Sequence, residues 1–338
     1  MSGKESRSVA AFGSVFADRM GICAFKDGHW GTPELVATAP LSLHPAAHVL
    51  HYGSSCFEGL KAYRWEDGST RLFRMDMHVK RMVQSARKLY LPVPDADTLS
   101  GLIRDTTAAA REQVPQPPGA LYLRPTLIGT QPNIGAAATP SNEALLFVLA
   151  SPVGDYFGGG EHATRILLTD TLMRTTPEFG MVKSGANYVQ ALGHVMRAKE
   201  KHTIDTVLFA PGGQIQETGA SNFLLLNDKE VRTAPLDSTY LHGVTRDSVL
   251  KLAAHMGYKV VETPLSVDDV LEWTAGGGEA ALSGTAAVLA GVGTIIYQDK
   301  ERSVCNGGVG ANTRKLREAL TDIQAGKAED PFGWLVAV

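Results

Sequence analysis

Apolar positions along this chain recur in two rhythms, a period of two and a period of three to four, and the changes between them mark out the elements. Residues 60–63 and 71–73 read as short strands around the turn signal Glu66-Asp-Gly-Ser, a β-hairpin. Asp76 then stands as the N-cap of a helix whose stripe is Val79, Met82, Val83, Ala86 and Leu89 and which Pro92 ends, with Arg81 off the stripe. A second helix over 97–112 carries Leu99, Leu102, Ile103 and Thr106. Residues 121–128 alternate, so that Leu121 and Leu123 face one side while Tyr122 and Arg124 share the other. The unbroken apolar run 144–150 predicts a buried strand, and the Gly- and Pro-rich residues after it predict a linker. The boundaries are 1–150, a linker at 151–161, and 162–338.

The second part opens on a strand at 165–169 and alternates less regularly. A helix follows Tyr188, with Val189, Leu192 and Val195 or Met196 at helical spacing. Pro211-Gly-Gly213 predicts a hairpin between 206–210 and 214–217, and further strands fall at 221–226, 230–233, 259–262, 280–283 and 293–298. Two more helices, 246–256 and 313–325, stop at Gly257 and Gly326, so only three helices interrupt the strands. The pattern is that of an α/β (α+β) protein with a smaller N-terminal α/β domain and a larger, β-rich C-terminal one.

Composition narrows the function. The chain has 338 residues, 44% hydrophobic and 20% charged, with a formal net charge of −3 and no dense Lys/Arg cluster, which argues against nucleic acid as a partner. No apolar run approaches membrane-spanning length and the N-terminus lacks the apolar core of a signal peptide, so a cytoplasmic location is expected. Cys23, Cys56 and Cys305 are far apart and odd in number, which predicts neither disulfides nor a metal site.

The candidate chemistry centres on Met181-Val-Lys-Ser-Gly-Ala-Asn-Tyr188, where Lys183 sits at a loop-to-helix junction between apolar and small residues. A lysine in such a setting can lose its proton and attack carbonyls, although a solvated lysine is the commoner occupant of a junction. Gly243-Val-Thr245 precedes the helix at Arg246 and can cup an anion, and Ser283-Gly-Thr-Ala-Ala287 offers a hydroxyl and close backbone approach; each is equally readable as an ordinary cap or turn. Tyr122 and Arg124 can hold a carboxylate or lie on a solvated face. Glu217 adds a carboxylate beside the small-residue turn Thr218-Gly-Ala-Ser-Asn222.

Taken in order, His51-Tyr-Gly, Phe57-Glu-Gly, Tyr122-Leu-Arg-Pro125, Lys183-Ser-Gly-Ala-Asn-Tyr188, Glu217-Thr-Gly-Ala-Ser-Asn222, Gly243-Val-Thr-Arg246 and Ser283-Gly-Thr285 resemble the branched-chain amino acid aminotransferases, in the fold type IV group of pyridoxal 5′-phosphate enzymes. The resemblance covers nearly the whole chain and implies a two-domain fold whose C-terminal domain is a pseudo-barrel. It implies transamination of L-leucine, L-isoleucine and L-valine with 2-oxoglutarate by a homodimer or higher homo-oligomer. Lys183 would form the Schiff base with the cofactor and shuttle the proton. Tyr188 would bond the ring's phenolic oxygen and Glu217 its nitrogen. The turn Gly219, Ala220, Ser221 would lie beside the cofactor, while Arg81, Gly243, Val244, Thr245, Gly284 and Thr285 would hold the phosphate. For substrate, Tyr122 with the backbone of Thr285 and Ala286 would bind the α-carboxylate, Arg124 the second carboxylate of glutamate, and Phe16, Tyr52 and Phe57 would wall the side-chain pocket. Three departures stand out: Ala186 replaces the family's second glycine after the lysine, the loop from Arg174 to Lys183 is short, and 286–290 lacks the Cys-x-x-Cys of animal relatives. D-amino acid aminotransferase and aminodeoxychorismate lyase are the alternatives on the same fold, and a non-catalytic pyridoxal phosphate or amino acid binding protein is a more distant one.

Overall fold

The computed structural model describes residues 12–155 and 161–338. Two large sheets organise it. The first runs, edge to edge, Leu335–Ala337, Thr70–Phe73, Leu60–Arg64, Ala120–Gly129, Ala144–Val153, Arg19–Lys26 and His29–Trp30, with Glu34–Ala37 also on Arg19–Lys26 and Ser55–Phe57 also on Ala120–Gly129. All its pairs are antiparallel. The second runs Thr206–Phe209, Thr164–Thr169, Val288–Tyr297, Glu279–Gly284, Asn222–Leu226, Glu230–Thr233 and Lys259–Glu262, with Lys300–Ser303 on Val288–Tyr297.

Helices Met75–Lys88 and Ala96–Ala109 cover the first sheet and bury Val79, Met82, Leu99, Leu102 and Ile103 against Leu60, Leu72, Leu121 and Leu123. Each such side chain contributes about 1.5–3 kcal/mol of transfer free energy. Packing is close enough that a Cβ on Gly21 would meet Thr106 Oγ1 at 2.5 Å. A separate apolar cluster joins the two sheets, with Tyr63, Phe73, Tyr122 and Trp334 against Leu224, Val249, Leu252, Leu289 and Leu316. Arg74 crosses the same seam to Asp247 at 2.6 Å and to Ser248 Oγ at 2.9 Å. A narrow cleft between Arg81 and residues 217–222, 241–245 and 283–285 lies near this seam.

The expected hairpin over 60–73 is present, as are helices at 244–255 and 311–324. Four expectations need correction. Arg74, with φ 52°, precedes the helix Met75–Lys88, and Asp76 lies inside its first turn, because the Arg74 amide is already bonded to the Trp334 carbonyl. The second helix ends at Ala109, capped by Asp95 at its start, and a separate short 3-10 turn holds Arg111–Gln113. Of the hairpin around Pro211-Gly-Gly213, only Thr206–Phe209 is a strand; the other arm makes isolated bridges. A further helix, Val267–Ala275, opens on the reciprocal Ser266–Asp269 capping box, so helices interrupt the second half more often than the apolar rhythm suggested. The strands Arg19–Lys26 and Glu34–Ala37 also went unpredicted, their alternation being broken by polar and small residues.

Ser151–Val153 of the expected linker complete a strand, and its residues 156–160 lie outside the described residues. The final strand, Leu335–Ala337, returns to pair with Thr70–Phe73 in the first sheet. The three cysteines are free. Among the described residues no helix is long and apolar enough to cross a membrane.

Candidate active site

Lys183 occupies the junction expected of it, two residues before the helix Gly185–Lys201. Its main chain is pinned on both sides: the amide donates to Ser85 Oγ at 3.1 Å and the carbonyl accepts from Phe57 N at 3.0 Å. The amine donates to the Tyr188 hydroxyl at 2.6 Å and lies 5.0 Å from the centre of the Phe57 ring. A lysine so held keeps its long stem in one geometry, which is what attack on a fixed carbonyl requires. Ala186, the departure beside it, is exposed.

The amine faces a narrow cleft lined by Arg81, Glu217, Ala220, Gly243, Val244, Thr245, Gly284 and Thr285, with Asn222, Leu241 and Ser283. The fold therefore brings together most of the expected cofactor residues from five separate segments. Gly219 and Ser221 belong to the adjoining turn, where Thr218 Oγ1 accepts from Ser221 N at 2.9 Å, and of this turn only Ala220 lines the cleft.

Of the cleft residues, Glu217 is 2% exposed. It accepts from Leu241 N at 2.8 Å and Asn222 Nδ2 at 3.2 Å, and Arg174 Nε stands 2.8 Å from it. Burial pushes its carboxyl up to about 7, with the Arg174 charge holding it down from a higher value. Arg81, also in the cleft, grips Glu58 bidentately at 2.6 and 2.8 Å and gives Nη1 to the His242 carbonyl at 2.9 Å. Burial opposes the Glu58 charge, but Arg81 and His78 outweigh it and hold this carboxyl far below the usual carboxylate range. His78 Nδ1 meets the same carboxylate at 2.7 Å. His78, Arg81 and Ser85 thus form a buried polar stripe beside the apolar one on the same helix.

A second cavity, of about 350 Å³, is lined by Phe12, Gly13, Phe16, Tyr122, Arg124, Leu149 and Ser151. Arg124 donates to the Tyr122 hydroxyl at 2.9 Å and lies over the Phe57 ring at 4.6 Å. The tyrosine hydroxyl rests on Gly59, where a Cβ would come within 1.9 Å of it. Phe16, Phe57, Tyr122 and Arg124 are therefore one constellation, while Tyr52 stands apart: its hydroxyl bonds the Ile134 carbonyl and its ring tilts against His48. Its expected place in the pocket wall is not reached within this single chain. Ala286 turns its carbonyl away from the cleft, to Lys61 Nζ.

Glu58, Arg174 and Asn222 escaped the sequence reading. Glu58 carried a signal, lying between Phe57 and Gly59 in a short motif. Arg174 carried none, being an isolated charge in a loop whose burial only the fold decides.

The cleft suits a phosphorylated pyridine aldehyde on its own terms. Ser283 Oγ is buried there with no protein partner. Gly243 leaves a cradle in which a Cβ would fall 1.9 Å from Asn222 Oδ1. The N-terminus of the helix Val244–His255 presents unpaired N–H groups beside Arg81, a setting for phosphate, and an amine and a buried carboxylate stand within the same cleft. Among the described residues no group of His, Cys, Asp and Glu could hold a metal ion.

The family profile described as amino-transferase class IV matches residues 55–295. Branched-chain-amino-acid aminotransferase 2 of Bacillus subtilis is 35% identical over 343 residues, which cover 99% of this chain and 94% of that protein. The probable branched-chain-amino-acid aminotransferase of Streptomyces coelicolor is 36% identical over 350 residues, covering 99% and 95%. The solved structure of the Escherichia coli branched-chain amino acid aminotransferase has a TM-score of 0.74 at 26% identity, covering 94% of this chain and 98% of that one.

Proposed function

This chain belongs to the class IV amino-transferases, and from that premise we propose that it transfers the amino group of L-leucine, L-isoleucine or L-valine to 2-oxoglutarate with pyridoxal 5′-phosphate as cofactor, yielding branched-chain 2-oxo acids and L-glutamate. The observation that carries this reading is the position of Lys183, which lines the polar cleft while its amine donates to the Tyr188 hydroxyl and stands 5.0 Å from the Phe57 ring.

When bound, the cofactor supplies a protonated pyridine ring that withdraws the electron pair left at the substrate Cα and a carbon that carries the amino group between half-reactions. Lys183 would be the amine that holds it and the base and acid that moves the proton at Cα. Tyr188, already hydrogen-bonded to that amine, orients it and stabilises oxygen charge nearby. Glu217, held by Leu241, Asn222 and Arg174, would pair with the ring nitrogen, and its charge would favour a protonated ring. Arg81, the helix start at Gly243 to Thr245, and Thr285 receive the phosphate.

Tyr122 and the turn at Thr285 and Ala286 hold the α-carboxylate. Phe16 and Phe57 supply the apolar wall that an isobutyl chain fills, and Arg124 supplies the charge that glutamate's second carboxylate needs. One cavity can therefore serve both half-reactions.

The enzyme works in the cytoplasm as a homodimer. Val189, Leu192 and Met196 are 69%, 55% and 54% exposed along one face of the helix Gly185–Lys201. The apolar residues whose spacing marked the helix form a row of side chains open to a second copy.

The test is a transamination panel with L-leucine, L-glutamate, D-alanine and an aromatic amino acid, run beside Lys183→Ala. Turnover of leucine with 2-oxoglutarate, lost in the variant together with borohydride-trapped cofactor, is the expected result. D-alanine turnover without leucine turnover would move the assignment to the D-amino acid enzymes.

A further inference from the structure

Lys61 is a buried lysine that the mechanism above leaves without a role. It is 8% exposed, sits in the strand Leu60–Arg64 of the first sheet, and is directly paired across the ladder with Tyr122. Its amine donates to the carbonyl of Ala286, in the second sheet, at 2.8 Å. Side chains directly opposite in an antiparallel pair share a face, so one lysine links the strand position beside Tyr122 to the turn that carries Thr285 and Ala286.

That turn is under-determined by its own sequence. Gly284 pairs with Val288, so Thr285, Ala286 and Ala287 form a three-residue hairpin loop. Such loops close on a residue in the left-handed region, where glycine is usual. Here the residue is Val288, with φ 63°, a β-branched side chain in a conformation that persists only when its surroundings hold it. Thr285 lines the Lys183 cleft, whereas Ala286, Ala287 and Val288 line a different cavity of about 350 Å³ that holds Lys61. The turn is thus the wall between the two. Because a trans peptide plane sets the N–H opposite its carbonyl, holding the Ala286 carbonyl on the Lys61 side directs the Ala287 N–H to the other.

We infer that Lys61 is a positioning residue for substrate: it grips the Thr285–Ala287 turn from behind and fixes, relative to Tyr122, the backbone that receives the α-carboxylate. The inference rests on reading this turn and Tyr122 as the carboxylate site. Burial lowers the Lys61 ammonium to about 8, opposed by Asp155 and aided by Arg317, so the contact is made at some cost to the charged form.

The test uses the full-length holoenzyme with Lys61→Met, which keeps the aliphatic stem, Lys61→Arg, which restores a charged donor, and Tyr122→Phe. In Lys61→Met the KM for L-leucine and 2-oxoglutarate is expected to rise about tenfold with kcat within about threefold. The Kd for 4-methylpentanoate, measured by calorimetry, should rise in parallel, and 3-methylbutylamine, which lacks the carboxylate, should be unaffected. Lys61→Arg should recover at least half of the loss on a logarithmic scale. Equal losses for leucine and the amine would make the contact merely structural and overturn the inference. Unchanged KM and Kd in Lys61→Met, with both raised in Tyr122→Phe, would also overturn it while leaving the carboxylate site in place. No change in either variant would refute the site itself. Should Lys61→Met fail to fold, Lys61→Gln carries the same expectations.

Discussion

The protonation of Glu217 is set by the fold more than by the residue's own chemistry. A carboxyl on a solvated turn titrates near 4.5, whereas burial behind Leu241 and Asn222 brings this one to about 7. The folded state therefore binds a proton that the unfolded chain has released, and without cofactor stability falls as pH rises between those two values, by an amount on the order of 3 kcal/mol. In Glu217→Gln this slope should disappear from urea unfolding of the cofactor-free protein measured from pH 5 to 8; an unchanged slope would locate the proton elsewhere. The motif Glu217-Thr-Gly-Ala-Ser-Asn222 marks a site carboxylate by its residue order alone, but the partner Arg174 has no periodic or motif neighbour that could have announced it.

At the scale of elements, the loop-to-helix junctions carry the chemistry. Gly243 is needed for space and not for backbone freedom, since its φ is −69° and any residue could adopt it. A methyl group there would strike Asn222 Oδ1, and Asn222 holds both Glu217 and the Leu241 carbonyl. Gly243→Ala is expected to weaken pyridoxal 5′-phosphate binding at least tenfold in a fluorescence titration of the cofactor-free enzyme, with the melting temperature nearly unchanged. Wild-type affinity in that variant would show that the cleft is looser than its packing implies. The helix Met75–Lys88 teaches a different lesson. Its apolar stripe was legible from spacing, which put Arg81 off the stripe and marked neither His78 nor Ser85, yet the three form a buried polar stripe that Glu58 and the Lys183 amide meet.

For the whole molecule, the exposed row Val189, Leu192 and Met196 sets the expectation about assembly. Leu192→Glu combined with Val189→Glu should shift the sedimentation coefficient from dimer towards monomer at micromolar concentration, because burying two carboxylates in an apolar contact is strongly unfavourable. A dimer that persisted would place the interface on another face. The final strand, by returning to Thr70–Phe73, and Arg74, by reaching Asp247, join the two sheets whose seam holds the cleft. What the sequence determined by itself was local and repetitive: the hairpin, the buried strands, the glycines and prolines that end helices, and the ordered motifs that named the chemistry. These are legible because periodicity and turn chemistry act over a few residues. Only the tertiary structure decided which charges are buried together, that Tyr52 stands apart from the pocket wall of its own chain, that an apolar helix face is left open, and that Lys61 reaches across 225 positions to Ala286. Such contacts join segments distant in sequence, and a charge or apolar face carries no local mark of what will be packed against it.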